Sequence, residues 1–415
     1  MRHFLLASGL ILSISCSLQA QNILSLSDAV RLARSNNTVL QAEKLNINAA
    51  EADLITARLR PNPVLNNQTL QLARPSLFPN DTRWTNAHNR QVWWQLTKQF
   101  QWPGIRQGKI DVATQEVMLA QNSYYDVERN LTFDVASQYL EVWRLKQVLS
   151  NLQQAQLNFD SLVNIQQARY KSQVITSTEL LRTQIPLEQY KLQLRTTRQE
   201  YINDLQQLKF LLGSPDSVDV SEGPLTEPIS ITGSQDSLVA RVLKERPDVK
   251  ATLNEINVSE SNIKLQRSQR IPIPELGVIW NPQNTIPYLG FFGTIQIPIF
   301  SRNQGGIAAS YVQRDQANLH LKTIQLQVNT EISAAWQTYH LQRETIGRYE
   351  QILQQSRDVL RSVRYSYFRG GTTLIDLLEA QRSWYDTQKL YHEAQFQYYQ
   401  SYLQLLLAAG VITQL

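Results

Sequence analysis

This chain is written twice, and that limits its possible folds more than any single motif does. Residues 97–213 lie over residues 294–410 at a constant offset of 197, without a gap. Thr97 meets Thr294, Gln107-Gly108 meets Gln304-Gly305, Tyr170 meets Tyr367, Glu179-Leu180-Leu181 meets Asp376-Leu377-Leu378, and Gly213 meets Gly410. Upstream the offset becomes 209, with Leu40 over Val249 and Glu51 over Glu260, and both segments run into a Pro-x-Pro at Pro61/Pro63 and Pro272/Pro274. A period near 200 residues is too long for a solenoid and suits a protomer of two pseudo-equivalent halves.

Each half reads in one order: helix, two strands, a very long helix, a turn, a helix. No proline follows Pro298, which leaves the C-terminal stretch free for long helices. In the first half, Ile110, Ala113, Val117, Ala120, Tyr124, Val127 and Leu131 alternate spacings of three and four, the seam of a coiled coil. The pattern predicts a helix from Arg106 to near Gln173 of about 100 Å, followed by one over 176–212 of about 55 Å and preceded by one over 27–59 of about 50 Å. The two shorter ones placed end to end match the long one. Over 92–102 the period changes to two: Val92, Trp94, Leu96, Phe100 and Trp102 share one face, and Gln95, Thr97, Gln99 and Gln101 the other. Residues 289–299 repeat this with Leu289, Phe291, Ile295, Ile297 and Ile299. Such apolar-out, polar-in segments have the length of tilted strands crossing a bilayer. The partner strands are fainter, at Leu276, Val278 and Trp280 and at 64–74. Trp84, Trp93, Trp94, Trp102, Trp280 and Phe291 cluster in these segments, as an interfacial girdle requires. Four strands cannot close a barrel, so several protomers must contribute.

Composition removes other classes. With 40 Lys+Arg against 35 Asp+Glu there is no basic field for nucleic acid. The single Cys16 and the five histidines form no zinc-ligand spacing, and no phosphate-binding or nucleophile-elbow motif is present. These absences exclude several enzyme classes. The N-terminus has the form of an export signal over 1–20, with Arg2 and His3, an apolar Phe4-to-Ile14 run and cleavage after Ala20. Cys16 offers the alternative of a lipid anchor, although Ser13 stands where a lipobox carries an aliphatic residue. The remaining units are a first repeat over 21–213, a connector over 214–236 and a second repeat over 237–415.

The double unit, with Ile297-Pro298-Ile299-Phe300-Ser301-Arg302-Asn303-Gln304-Gly305-Gly306-Ile307 at its second strand-to-helix passage and Tyr367-Phe368-Arg369-Gly370-Gly371-Thr372-Thr373 at a helical turn, resembles the outer-membrane efflux family of TolC-like channels. The first of these segments is most similar to the branch serving heavy-metal cation efflux. The resemblance implies a mainly α fold with a membrane β-barrel part. A homotrimer would build a 12-stranded barrel continued by a 12-helix coiled-coil α-barrel reaching into the periplasm. It implies a passive exit duct, not an enzyme, with no catalytic residue, cofactor or metal ligand, joined to a periplasmic adaptor and an inner-membrane RND-type pump, with multidrug or type I protein secretion as the alternative cargo. A periplasmic coiled-coil scaffold is the reading from another class.

The same resemblance places functional residues. Asp376 and Glu379, with Glu179 as the first-half counterpart of Asp376, are expected at a periplasmic gate, where three-fold symmetry would make a ring of like charge. The other reading of these acids is that they favour a helix N-terminus. Arg169, Tyr170, Ser172, Tyr367, Arg369, Gly370, Gly371 and Thr372 are expected to dock the adaptor, with Val174 and Ile175 standing where the second half has its glycine pair. Pro298, Arg302, Asn303 and Gly305 are expected at the strand-to-helix junction, and Trp93, Trp94, Trp102, Trp280 and Phe291 in the girdle.

Overall fold

The computed structural model describes residues 22–78, 90–215, 218–221, 223, 229, 233–283 and 286–415. The expected signal over 1–20, Cys16, Trp84 and part of the connector lie outside the described residues. The first half comprises β1 (Asn22–Leu24), α1 (Leu26–Asn36), α2 (Thr38–Arg58), β2 (Val64–Gln71), β3 (Arg90–Gln99), α3 (Pro103–Lys171) and α4 (Ser177–Leu212). β4 (Val218–Val220), α5 (Gln235–Glu245), α6 (Pro247–Ser268), β5 (Glu275–Gln283), β6 (Ile286–Thr294), α7 (Gln304–Phe368) and α8 (Leu374–Ala408) follow.

The long helices are those the heptad pattern predicts: α3 has 69 residues and α7 has 65, each about 100 Å long. The preceding helix differs. Instead of one helix over 27–59, the chain breaks at Asn37, whose backbone is extended. The Asn37 side chain explains the break, because Oδ1 accepts from Val39 N at 3.0 Å and Leu40 N at 3.1 Å, making it the N-cap of α2. Its Nδ2 donates to Leu211 O at 2.9 Å, at the end of α4. α4 and α2 therefore stack end to end along α3, as expected. The second half repeats the device at Arg246, which is followed by Pro247 at the first position of α6.

The four longer strands form one antiparallel sheet in the order β2-β3-β5-β6. Thr97 is opposite Val64 and Gly277, and Trp94 is opposite Trp280. The second strand of each half ends earlier than its alternation predicts: β3 at Gln99 and β6 at Thr294. The partner strand is what runs out. Pairing closes at Glu275, opposite both Gln99 and Thr294, because the preceding Pro272 and Pro274 have no N–H to extend a ladder. Both outer strands, β2 and β6, have one edge without a partner among the described residues.

A core forms midway along the helices. β1 pairs parallel with β4, so the start of the first repeat meets the connector. Beneath them Ala29, Val30, Val135, Tyr139, Leu140, Leu212 and Leu403 are fully buried, each large apolar side chain contributing about 2 kcal/mol. Tyr139 is admitted because its hydroxyl donates to Leu24 O at 3.0 Å and meets Ser221 Oγ at 2.9 Å. Toward the far ends, Val312, Leu319 and Leu326 lie seven residues apart on α7 and stay exposed. No helix among the described residues is long and apolar enough to cross a membrane.

Gly213 and Gly410 end α4 and the C-terminal turn after α8 with left-handed φ of 60° and 71°, yet only one is crowded. A Cβ at Gly213 would sit 2.5 Å from Asn36 O, whereas at Gly410 the nearest atom is 3.6 Å away. Gly213→Ala is expected to destabilise by about 2–3 kcal/mol and Gly410→Ala by about 1 kcal/mol, read as unequal falls in the midpoint of heat-induced loss of helical circular dichroism.

Candidate functional site

At the end of the helices opposite the sheet, α3 turns into α4 and α7 into α8 by one backbone course. Val174 N donates to Arg169 O and Gly371 N to Ser366 O, both at 2.9 Å. The left-handed residue inside each turn is Gln173 at φ 56° and Gly370 at φ 76°. The counterpart of the glycine pair is thus Gln173-Val174, not Val174-Ile175, and the two tips share a shape despite different residues. Gln173 tolerates this conformation at a cost of about 1 kcal/mol.

Both turns are closed by capping boxes. Thr176 caps α4 and accepts from Glu179 N, and Glu179 Oε2 accepts from Thr176 N at 3.0 Å. Thr373 caps α8 in the same way, and Asp376 Oδ2 accepts from Thr372 Oγ1 at 2.6 Å, Thr373 Oγ1 at 2.7 Å and Thr373 N at 3.0 Å. Hydrogen bonds from Thr372, then Thr373, hold the Asp376 carboxyl below the ordinary Asp value. Of the expected gate residues, Asp376 and Glu179 therefore have a local structural task. Glu379 sits elsewhere, lining a cleft of about 630 Å³ between α4 and α8 with Arg182, Arg382, Asp386, Tyr190 and Phe159.

Two of the expected docking residues, Arg169 and Tyr367, meet across the tips. Tyr367, at the end of α7, accepts at its hydroxyl from Gln166 Nε2 at 2.6 Å and Arg169 Nη1 at 3.0 Å, so the tips of both halves are bridged. Gln166 is buried and gives no signal in the sequence. Arg369 lies over the Tyr365 ring at 4.3 Å, and Tyr170 is exposed.

At the passage into α7, Asn303 adopts φ 57° and donates through Nδ2 to Gln266 O at 2.9 Å and Gln266 Oε1 at 2.8 Å. Arg302 Nε donates to Pro298 O at 3.0 Å, and Gln304 Oε1 accepts from Arg302 N at 2.7 Å. The glycine that this junction needs is Gly306 rather than Gly305. A Cβ on Gly306 would run into the side-chain ends of Asn303 and Gln266, which are hydrogen-bonded to each other, while one on Gly305 meets nothing within 4 Å.

The sheet separates its aromatics by face. Trp94, Leu96, Val278 and Trp280 are paired across one face, and Phe291 on β6 is 84% exposed. Trp93 belongs to the other face, with Gln95 and Thr97, and so does not share the exposed row of Trp94 and Leu96. With the Asn281 amide oriented to satisfy both neighbours, its oxygen accepts from Trp93 Nε1 at 2.9 Å. Trp102 follows the strand and donates from Nε1 to Pro272 O at 2.9 Å.

Sequence reasoning missed a charge cluster midway along the helices. Arg246, whose side chain is 2% exposed, bonds Asp248 and Glu331, both at 2.7 Å. Arg129 bonds Asp126 at 2.7 Å, with Asp248 at 3.7 Å. Arg246 Nη1 and Arg129 Nη1 also donate to Ala408 O and Leu407 O at 3.4 Å, at the end of α8. Arg246 and Asp248 are neighbours in sequence, whereas Glu331, Arg129 and Asp126 come from distant helices.

A strand sheet with an apolar exposed face at one end and two capped helical turns about 100 Å away define an elongated membrane-associated conduit protein built from two repeats. The family model for outer membrane efflux protein matches residues 29–214 and 238–411, one segment in each repeat, and the chain belongs to that family. Efflux rather than catalysis is its business. The pyoverdine export outer membrane protein OpmQ of Pseudomonas putida is 24% identical over 323 residues, covering 74% of this chain and 67% of that protein. The proteases secretion protein PrtF of Dickeya chrysanthemi is 23% identical over 284 residues, covering 61% and 60%. Structures of CusC, concerned with folding and transmembrane channel formation, superpose with a TM-score of 0.77 at 17% identity, covering 94% of this chain and 93% of that one.

Thr373→Ala is expected to cost about 1 kcal/mol through loss of the α8 cap, read as faster hydrogen exchange of the α8 first turn. A depressed carboxyl pKa stabilises fully above the unfolded value and loses this as pH falls through the folded one. Protection of that turn should therefore be level from neutral pH down to about pH 5 and decline below about pH 4. In Asp376→Asn the decline should be absent.

Proposed function

We propose that three copies of the chain close the sheet edges into a 12-stranded barrel and form a 12-helix duct below it. The duct would carry solute from a periplasmic adaptor and RND-type pump through the outer membrane. The observation that carries this reading is the pair of edges on β2 and β6 left unpaired among the described residues, in a sheet with an exposed apolar face. In lipid, unpaired backbone groups each cost several kcal/mol, so only a closed barrel is tenable. Val312, Leu319 and Leu326, exposed at heptad spacing on α7, support packing against a neighbouring copy.

In the trimer the turns before α4 and α8 face the periplasmic entrance. Asp376, held ionised by its cap, and Glu379 would form rings of negative charge there, with Glu179 in the first-half position. The adaptor would meet Arg169, Tyr170, Ser172, Tyr367, Arg369, Gly370, Gly371 and Thr372. Heavy-metal cations are the proposed cargo, supported by the resemblance of Ile297–Ile307 to the metal-efflux branch. The names of OpmQ and PrtF favour a second reading, export of a siderophore or a protein.

Unboiled outer-membrane extracts should show a band at three times the chain mass, and a monomer alone would refute the barrel. In planar bilayers the channel should be blocked by divalent cations from the periplasmic side, and Asp376→Ala should weaken that block about tenfold. Unchanged block would remove the gate. A cysteine at Thr372 should cross-link to an adaptor, and the pump that co-purifies distinguishes metal from siderophore or protein export.

A further inference from the structure

Where the first repeat passes from sheet to helix, a cavity of about 630 Å³ opens between the segment after α2 and the start of α3. Its charged lining is wholly basic: Arg60, Lys98 and Arg106. Among the described residues none of the three forms an ion pair. Arg106 Nη2 donates to Arg58 O at 2.8 Å, which fixes the guanidinium beside the cavity, while its buried Nε has no hydrogen-bond partner. No side chain caps the start of α3 at Trp102, so the positive end of a 69-residue helix adds to the same field.

The surroundings decide what kind of anion fits. Lys98 lies in the alternating row of Trp94 and Leu96, opposite Leu276, with exposed Phe100 beyond it. The basic cavity therefore opens beside the exposed apolar row of the sheet, at the end where the strands give way to helices. A soluble phosphate would satisfy the cations and leave the apolar row bare. A phospholipid covers both, placing its phosphate among the cations and its chains along Leu96 and Trp94. The second repeat lacks an equally free set: its Arg302 is engaged by Pro298 O at 3.0 Å, and its Arg267 bonds Tyr311 OH and stacks on that ring.

We propose that Arg60, Lys98 and Arg106 form a binding site for the headgroup of an anionic phospholipid at the periplasmic face of the membrane, one site per chain. This rests on the membrane-barrel reading above. The test reconstitutes the full chain into vesicles of phosphatidylethanolamine with a minor share of phosphatidylglycerol, re-extracts it in mild detergent and quantifies retained lipid by mass spectrometry. Phosphatidylglycerol should be enriched over the bulk ratio, and Arg60→Gln combined with Lys98→Gln should lower the enrichment about tenfold. Arg60→Lys with Lys98→Arg should restore it, and Lys44→Gln on α2 should leave it unchanged. Equal enrichment in the double Gln variant would overturn the site. Displacement of the lipid by millimolar inorganic phosphate would also overturn it, as a free-anion site. Insertion without enrichment refutes this inference alone, whereas failure of the unsubstituted chain to insert refutes the barrel as well.

Discussion

Two hydrogen bonds to the ends of the short helices organise the molecule. A helix leaves its last carbonyls without intrahelical partners, and buried ones must find donors. Asn37 Nδ2 supplies the end of α4 through Leu211 O, and Arg246 Nη1 supplies the end of α8 through Ala408 O. Residues 37 and 246 are equivalent at the upstream offset of 209, and residues 211 and 408 at the downstream offset of 197. One contact is therefore made twice, and each time it seats a short helix end to end with the next along a helix of about 100 Å. Without that seat the short helices would have no fixed register, and the sheet and the turns would not lie at opposite ends.

The two versions differ in charge. Asn37 completes its contact as a neutral amide. Arg246 brings a buried charge that must be balanced, and Asp248, Glu331, Arg129 and Asp126 gather around it. Burial drives the Asp126 carboxyl up, while at Asp248 burial is outweighed by hydrogen bonds from Arg246 and the charge of Arg129, which hold it down. Such a cluster adds little net stability over an apolar seam, but removing one member strands the others, at several kcal/mol. The second repeat is thereby seated where α3, α6, α7 and α8 meet, in a way that tolerates little displacement.

Periodicity carried the architecture because it repeats over many turns. The heptad seam from Ile110 to Leu131 and the two-residue alternation from Val92 to Leu96 each fix a face, and both reappear in the second half. What escaped was decided by a partner remote in sequence. The seat of α2 on the end of α4 depends on Leu211, although the break itself is a local N-cap by Asn37. The early end of β6 depends on prolines before β5, and the need for Gly306 on where Asn303 and Gln266 meet. The offset of 197 already sets Gln173 against Gly370, but residue type hides the match, since a side chain stands where the backbone asks for glycine. Trp93 stands apart from Trp94 for a different reason: alternation puts neighbours on opposite faces, which clustering of aromatics does not register.

The ends of α8 are held by unequal means, and this determines how the turn before it can move. Its far end is tied by two buried arginines to Leu407 O and Ala408 O. Its near end is joined to the first repeat by the packing of Tyr385 on Phe159 and Leu187, and the turn before it by hydrogen bonds to Tyr367 from Gln166 and the exposed Arg169. Neutral or solvent-exposed hydrogen bonds each contribute about 1 kcal/mol, well below the cost of breaking the buried cluster. A load applied at the turns, such as a docked partner, would separate Tyr367 from Gln166 and Arg169 before it disturbed the seat at Arg246. Tyr385 packs with Phe159 and Leu187 a few turns further along α8, so such a separation stays within the turn unless that apolar cluster opens as well.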